Sequence, residues 1–311
     1  LRSFLTLLGI IIGVTTIIAM MTIIVGLQRD MEREMSQLSP NVFQVQRYDQ
    51  NMGFNTNFQE RKYRPPIERE HAEAIERLAP SVASVGPEVW HYMKEVRYRD
   101  KETNPNVVLA GGTPAFFINN GYYIEEGRAI TSADDDFNRN VAVIGHAVKE
   151  KLFPYESPLG KQIKIDGNKF TIVGKIEEKG TMFGESHRNN LVVIPLSTAE
   201  KIYGDKRSIN ITVKARSAAL FEKAQDEVIE IMRVQRGLKP NEENNFGMWS
   251  PNMLIDSFNQ MTFWIKVAAI GICAMSLLVA GIGIMNIMLV SVTERTREIG
   301  IRLAVGALER D

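Results

Sequence analysis

Two long runs without a charged residue lie near the ends of this 311-residue chain. They cover residues 3–27 and 267–293. A helix needs about 20 apolar residues to cross the hydrocarbon core of a bilayer, and both runs exceed that length. The first run is too long for a cleavable signal peptide, and no A-x-A-like site follows it. The pattern therefore predicts two membrane-spanning helices with a soluble domain between them.

Apolar positions at helical spacing continue beyond each uncharged run, on the side of the soluble domain. They recur three or four residues apart, which places them on one face of a helix. The two stripes are Leu27, Met31, Met35 and Leu38, and then Leu254, Phe258, Met261 and Ile265. We expect them to face each other in an antiparallel helical stalk. The alternative is that each stripe packs on the soluble domain.

The region between the helices alternates between strand and helix patterns. Short apolar or alternating runs predict strands, and amphipathic runs predict helices. The predicted strands are 42–46, 106–112, 140–145, 189–195 and 209–215, and the predicted helices are 67–80, 146–153 and 217–237. This mixture predicts an α+β domain of one or two lobes.

The strongest local prediction is a hairpin over residues 161–178, where alternating strands flank the turn Asp166-Gly167-Asn168. This turn needs positive φ angles. Gly237 is expected to cap the helix predicted over 217–237. The residues of that helix expected to face the core are Phe221, Ala224, Val228, Ile231 and Met232. The polar residues 50–64 predict a loop.

The patterns divide the chain into six segments. These are a transmembrane helix at 1–27, a stalk helix at 28–39, an extracytoplasmic α+β core domain at 40–251, a stalk helix at 252–266, a transmembrane helix at 267–293 and a cytoplasmic helix at 294–311. Basic residues beside the two runs favour cytoplasmic chain ends. Because the sequence starts at Leu1 and stops directly after Asp311, we expect it to be part of a longer protein.

Composition narrows the function classes. The chain has 37 basic and 37 acidic side chains, so its balance of charge gives no support for nucleic acid as a partner. The single cysteine, Cys273, excludes an internal disulfide. It lies in the second uncharged run, where a small apolar side chain is expected.

Motifs for nucleotide or metal chemistry are incomplete. An ATP-binding loop requires Ser or Thr after Gly-Lys, but Gln162 and Ile176 follow the two Gly-Lys pairs. The four histidines have no metal-ligand spacing. Residues 134–138 begin like a calcium loop, but Arg139 replaces its glycine. We expect a solvated acidic loop there.

Polar residues within the two uncharged runs are few. The runs contain no Asp, Glu, His or Arg, which argues against a proton relay through them. Asn286 is expected to make a hydrogen bond between helices. Gly9 and Gly13 are expected to allow another helix to approach closely.

The tail TERTREIGIRLAVGA follows the second run. Glu298 and Arg302 form an i,i+4 pair, and Ile299 and Leu303 lie one turn apart. The pattern predicts a short amphipathic helix that turns away near Gly300 or Gly306. A membrane-surface helix, a stop-transfer anchor and a docking element for a cytoplasmic partner all remain open, although a stop-transfer anchor needs no ordered apolar face.

This tail resembles the segment after the second span in ABC transporter permeases of the MacB/FtsX-like type. The opening LRSFLTLLGIIIGV resembles the start of their first span. Four inner stretches resemble the periplasmic core domain of that family: GYYIEEGRAIT, NVAVIGHAVKEKLF, PLGKQIKIDGNKFTIVGKIEE and LVVIPLSTAEKIYG. The resemblance covers nearly the whole chain in order.

The resemblance implies a permease subunit that transmits ATP-driven motion from a cytoplasmic ATPase to a periplasmic domain for efflux or export. It implies four spans, of which this chain holds two, in the bacterial inner membrane. It also implies a homodimer in the lipid bilayer, an ABC ATPase partner fused upstream or separate, and in some relatives a periplasmic adaptor and an outer-membrane duct. ATP and magnesium would sit on the ATPase, so this chain is expected to be no enzyme and to hold no cofactor or metal.

The residues that the resemblance assigns to ATPase coupling are Glu294, Arg295, Arg297, Glu298, Ile299, Gly300, Arg302 and Leu303. Within the family, a lipoprotein-releasing permease and a regulator of cell-wall hydrolases are alternatives. Outside it, a two-span sensor receptor shares the layout, but it would need long heptad repeats after the second span.

Overall fold

A computed structural model describes residues 2–36, 41–48, 64–179, 188–204 and 207–306. The chain divides into two units. The helical unit combines Leu1–Arg33 with Leu254–Asp311, and the mixed domain is Glu34–Met253. Each unit is described separately below. The predicted loop over 50–64 lies outside the described residues, apart from Arg64.

The elements follow one another in chain order with strands and helices interleaved. They are α1 (Arg2–Ser36), β1 (Val42–Gln46), α2 (Arg69–Leu78), β2 (Val82–Lys94), β3 (Val96–Tyr98), β4 (Lys101–Glu102), β5 (Val107–Gly112), α3 (Pro114–Asn119), β6 (Ile124–Gly127), α4 (Ser132–Asp136), β7 (Val141–Ile144), α5 (His146–Leu152), β8 (Gln162–Ile165), β9 (Asn168–Ile176), β10 (Leu191–Pro195), α6 (Leu196–Tyr203), β11 (Asn210–Ala215), α7 (Phe221–Gln235), β12 (Gly247–Trp249) and α8 (Pro251–Ala304).

Twelve described strands form one mixed sheet, in the order β12-β1-β11-β2-β5-β10-β7-β9-β8-β3-β4, with β6 on β9. The pairs β5/β10 and β7/β9 are parallel, and the other pairs are antiparallel. The prediction of a mixed α and β domain is confirmed. One sheet runs through the whole domain, which is a single unit rather than two lobes.

The central strands are buried on both faces of the sheet. In β5, Leu109 belongs to one apolar cluster and Val108 to the other. In β10, Val192 and Val193 divide between the clusters in the same way. Successive side chains of a strand point to opposite faces. A strand covered on both sides therefore reads as a continuous apolar run, which explains the sequence LVVIP.

Helices cover both faces. The larger cluster includes apolar side chains of α2, α5, α6 and α7, such as Ile75, Leu152 and Val228. The smaller cluster is built around α3, whose Phe116 and Phe117 are buried on the other face. The Phe116 ring lies 5.5 Å from Trp90 and 5.6 Å from Tyr122, measured between centroids. These contacts fix α3 on the sheet.

The locally encoded predictions agree with the structure. In the predicted hairpin, β8 and β9 pair through a turn in which Asp166 and Gly167 have φ angles of 46° and 83°. In α7, Ala224, Val228 and Met232 are buried as expected. Gly237 follows that helix with a φ of 62°. The hairpin turn and the helix end are each determined by residues that lie within a few positions of them in the sequence.

The longest strand of the sheet, β2, escaped the sequence patterns. It contains Gly86 and Pro87, and proline normally argues against an interior strand. Pro87 nevertheless pairs with Ile211 of β11. A Cβ atom at position 86 would lie 2.5 Å from Oγ1 of Thr212. The glycine at this position therefore allows the Thr212 side chain to approach the backbone of β2.

The prediction of a solvated acidic loop is wrong for Asp134 and Asp135. Both residues are buried within the short helix α4. Arg128 donates two hydrogen bonds to the Asp134 carboxylate. Thr131 caps the helix by accepting a hydrogen bond from the Asp134 backbone N–H, and the Asp134 side chain accepts one from the Thr131 backbone. These donors lower the pKa of Asp134 although burial alone would raise it.

Candidate functional site

The long helix α8 carries the predicted coupling site at its C-terminal end. It is unbroken over 54 residues, which corresponds to about 80 Å at ~1.5 Å per residue. Among the described residues, α8 is the one helix that is long and apolar enough to cross a membrane. The apolar part runs over Ser257–Thr293, and a stretch of 18 residues within it has a mean hydropathy of 2.4. The predicted stalk, span and coupling segments of 252–304 are therefore parts of one helix.

One narrow stripe of α8 is shielded from solvent within the helical unit. Its members recur at alternating steps of four and three residues, which is the spacing of a helix-packing seam. They are Thr262, Lys266, Ala269, Cys273, Ser276, Ala280, Gly283 and Ile287. Six of the eight residues are small, and small residues let a second helix approach closely. The other described segment of this unit is α1, on which Ile24 is buried.

The stalk stripes agree with the sequence prediction only in part where they are described: Phe258 is half-buried, one turn before the shielded Thr262. Leu27 and Met261 were expected to face each other, but both are exposed. The buried positions near them are Ile24 and Thr262 instead. The side chains of Met31, Met35, Leu38 and Leu254 lie outside the described set. The shielded face of α8 therefore passes through Phe258 and Thr262 rather than through Met261, and it is made mainly of small residues.

The predicted packing residues lie within the two long helices. Gly9 and Gly13 are in α1, and the surroundings of both lie outside the described set. Asn286 is in α8 and is exposed within the helical unit. The roles of these three residues in helix packing remain predictions.

The predicted coupling residues occupy the last turns of α8. Glu298 and Arg302 form the expected i,i+4 ion pair, with 2.7 Å between Oε1 and Nη2. Both side chains are exposed, so this pair adds about 0.3–0.5 kcal/mol to the helix. Arg295 is also exposed. The side chains of Glu294, Arg297, Ile299 and Leu303 lie outside the described set.

The helix does not bend at Gly300. Helical structure continues through Ala304, and no neighbouring atom would meet a side chain placed on Gly300. Gly306 has a φ of 93°, a left-handed value that favours glycine. The helix therefore passes Gly300 without a turn and ends two residues before Gly306. The charged tail is a direct extension of the apolar helix.

A second apolar pair on these turns was missed by the sequence analysis. Ile301 is 58% exposed and Val305 is 84% exposed. They lie four residues apart and therefore on one face. Residues two positions apart on a helix differ in direction by about 200°, so this face is opposite to that of Ile299 and Leu303. The signal was present in the sequence IGIRLAV (299–305), where two apolar pairs at spacing four interleave.

The described residues offer little for metal chemistry. Within this part of the chain no group of three or more His, Cys, Asp or Glu side chains is arranged to hold a metal ion.

The mixed domain has an open groove of about 330 Å³ beside α2 and α4. Arg69 on its wall donates hydrogen bonds of 3.1 Å to both Asp135 and Glu200.

The described residues thus comprise a mixed α/β domain and a long apolar helix with a charged end. A family model described as the MacB-like periplasmic core domain matches residues 3–231. A second, the FtsX-like permease C-terminal, matches residues 270–311. The chain therefore belongs to the MacB-like family of ABC transporter permeases. The resemblance that the sequence motifs indicated is confirmed.

Curated relatives align along the whole chain. A macrolide export ATP-binding/permease protein MacB of Bdellovibrio bacteriovorus is 30% identical over 312 residues. The pyoverdine export ATP-binding/permease protein PvdT of Pseudomonas aeruginosa is 33% identical over 315 residues. Each alignment covers 100% of this chain, but 47% and 44% of these relatives. The chain thus spans about half the length of the curated relatives it matches.

Solved structures share the fold of the mixed domain. The periplasmic region of MacB from Actinobacillus actinomycetemcomitans aligns with a TM-score of 0.58 at 19% identity, over 74% of this chain and 97% of that one. The extracellular domain of the transporter YknZ from Gram-positive bacteria aligns with a TM-score of 0.52 at 17% identity, over 67% and 100%.

Proposed function

We propose that this chain is the membrane subunit of an ABC exporter and that α8 transmits motion from an ATPase to the mixed domain. The observation that carries the proposal is the continuity of α8 from Pro251 to Ala304. A helix without a break resists bending, whereas sharp kinks need proline, a bulge or an inserted group. A displacement at its charged end would therefore reach its other end rather than be absorbed midway.

The proposed topology has two membrane spans, α1 and α8, with the mixed domain outside the cytoplasm of a bacterial cell. Basic residues beside the uncharged runs support this orientation. The solved relative that shares the fold is a periplasmic region, which supports it further. The spans would leave hydrophilic substrate to be handled outside the bilayer, because their uncharged runs, 3–27 and 267–293, contain no Asp, Glu, His or Arg.

The proposed partners are an ABC ATPase, fused or separate, and a second copy of the permease. The relatives named as ATP-binding/permease proteins support the first. ATP and magnesium would be held by that ATPase, so this chain would have no catalytic role. Relatives named for macrolide and pyoverdine export favour small-molecule efflux over lipoprotein release or cell-wall regulation. An adaptor and an outer-membrane duct would complete the path in a Gram-negative cell.

The docking element is proposed to be the end of α8. Ile299 and Leu303 would form an apolar ridge, and Arg295, Glu298 and Arg302 would set its orientation on the ATPase. Gly300 is open and would allow close approach. Buried apolar anchors carry much of the affinity of an interface, while charges tune recognition and association.

Ile299→Asp is expected to uncouple the full-length exporter. An aspartate at an interface anchor loses about 2 kcal/mol or more of binding, so ATPase stimulation and export should both fall at least roughly tenfold. Both rates are measured in proteoliposomes that contain the permease and its ATPase. Protease accessibility of the mixed domain checks that folding and insertion are unchanged.

Ile301→Asp is the matched control, since it makes the same change on the opposite face of the same turns. It is expected to leave coupling within about twofold of the parent, as exposed substitutions away from a contact usually do. The reverse outcome would move the docking face to Ile301 and Val305. Full coupling in both variants would contradict docking by this helix end.

A further inference from the structure

A carboxyl group lies buried at the centre of the mixed sheet. Glu88 belongs to β2, where it pairs with Asn210 of β11 on one side and Gly112 of β5 on the other. Its exposure is 0%. Acidic side chains are almost never fully buried unless they are paired. Within the described part of the chain, no cation lies at ion-pair distance from Glu88, so its burial needs another explanation.

Both oxygens of Glu88 accept hydrogen bonds from neutral donors. Oε1 accepts one from Trp90 Nε1 at 2.9 Å and a longer one from Gln44 Nε2 at 3.4 Å. Oε2 accepts one from Asn120 Nδ2 at 2.7 Å. Asn120 is the residue that ends α3. The carboxyl group therefore connects β1 and β2 to the C-terminal end of that helix.

The end of α3 is held on the sheet by amide groups rather than by apolar contacts alone. Asn119 Nδ2 donates to the backbone oxygen of Thr212 at 3.1 Å, and Ser84 Oγ donates to Asn119 Oδ1 at 2.5 Å. Asn120 adds the bond to Glu88. If this end of α3 lifts, the cover over Glu88 is removed and the carboxyl group reaches water.

We propose that Glu88 is a proton-dependent latch: the neutral carboxyl group keeps the end of α3 on the sheet, and the ionised carboxylate favours a state in which that end lifts. The inference concerns the mixed domain by itself and does not depend on the proposed transport function. It assigns a role to a buried group that ATPase coupling does not use.

The direction follows from proton linkage. Burial raises the pKa of Glu88 to about 7, although the hydrogen bonds from Trp90 and Asn120 lower it. In the lifted state the carboxyl group is hydrated, and its pKa returns towards the ordinary value near 4.5. The closed state therefore binds the proton more tightly. Its advantage is complete at low pH and is lost as the pH rises through about 7.

Among the described residues, the other titrating groups near Glu88 are few and can be separated from it. Lys179 donates to the backbone oxygen of Asn120 at 3.4 Å, and burial together with Arg188 lowers the pKa of this lysine to about 8. Tyr122 remains neutral, since burial raises its pKa to about 12. His91 is on β2 but faces the other side of the sheet, as its odd spacing from Glu88 requires.

The test is hydrogen exchange of the 311-residue chain in detergent micelles between pH 5.5 and 8.5. The reporters are the amides of Asn120 and Tyr122, which donate to carbonyl groups of α3. After correction for the intrinsic rate, their protection should fall by about 10- to 100-fold across this range, with most of the fall below pH 7 and a plateau above it. Amides of α7 serve as the internal reference and should stay constant.

Three variants assign the effect. Glu88→Gln keeps a neutral side chain and should remove the pH dependence. Glu73→Gln, on the exposed face of α2, and Lys179→Gln should both retain it. Constant protection of α3 in the unaltered protein would overturn the latch, as would its loss in Lys179→Gln. If Glu88→Gln does not fold, the comparison of α3 with α7 decides alone: an equal change in both helices contradicts the proposal.

Discussion

Gln260→Pro is expected to lower export by about tenfold or more while membrane insertion is retained. Gln260 is an exposed residue in the interior of α8, near the start of the apolar segment Ser257–Thr293. A proline there removes one backbone hydrogen bond and kinks or breaks the helix, at a cost of about 3 kcal/mol or more. If α8 acts as a rod, a push at its charged end would then be lost at the kink.

Export and ATP hydrolysis are measured together in proteoliposomes that contain the full-length exporter. The kink should separate them, so that hydrolysis continues while export falls. Gln260→Ala is the control, because alanine removes the same side chain and preserves the helix. Normal export by the proline variant would show that α8 need not be continuous, and the proposed rod would be wrong.

Phe116→Ala is expected to lower the free energy of unfolding of the mixed domain by about 3–5 kcal/mol. Phe116 is fully buried and its ring contacts Trp90, Phe117 and Tyr122. Removal of the ring leaves a cavity between α3 and the sheet, and the surrounding side chains close it only in part. Urea denaturation in detergent, followed by tryptophan fluorescence, gives the change.

Ile118→Ala is the matched variant on the same helix. Ile118 is 59% exposed, so its truncation should change the free energy of unfolding by less than about 0.5 kcal/mol. Similar losses for both variants would mean that α3 does not present Phe116 to the core. Such a result would also weaken the account of how α3 covers Glu88.

Local chemistry explains what the sequence predicted well. The turn after β8 and the cap of α7 depend on residues within a few positions, and both are present as expected. The pair Glu298–Arg302 is another local feature, because residues four apart meet on any helix. The family resemblance was likewise carried by contiguous motifs.

Features that depend on distant residues were missed. The pattern of β2 is interrupted by Gly86 and Pro87, and its strand character comes from pairing with β11 and β5. The burial of Glu88 requires Gln44 and Asn120, which are far from it in sequence. At the tail, spacing alone could not choose between two interleaved apolar pairs. The shielded face of α8 was predicted only in part, at Phe258, because apolar spacing does not identify a seam made of small residues.

The position of β1 in the sheet sets an order of events during synthesis. Val42 pairs with Lys214, and Gln44 pairs with Trp249, so both neighbours of this early strand are made much later. At about 5–20 residues per second, the ribosome needs roughly 10–40 s to deliver them. Throughout that interval β1 has two unpaired edges, which are templates for wrong pairing. Residues 42–46 therefore remain open to wrong pairing until β11 and β12 have both been made.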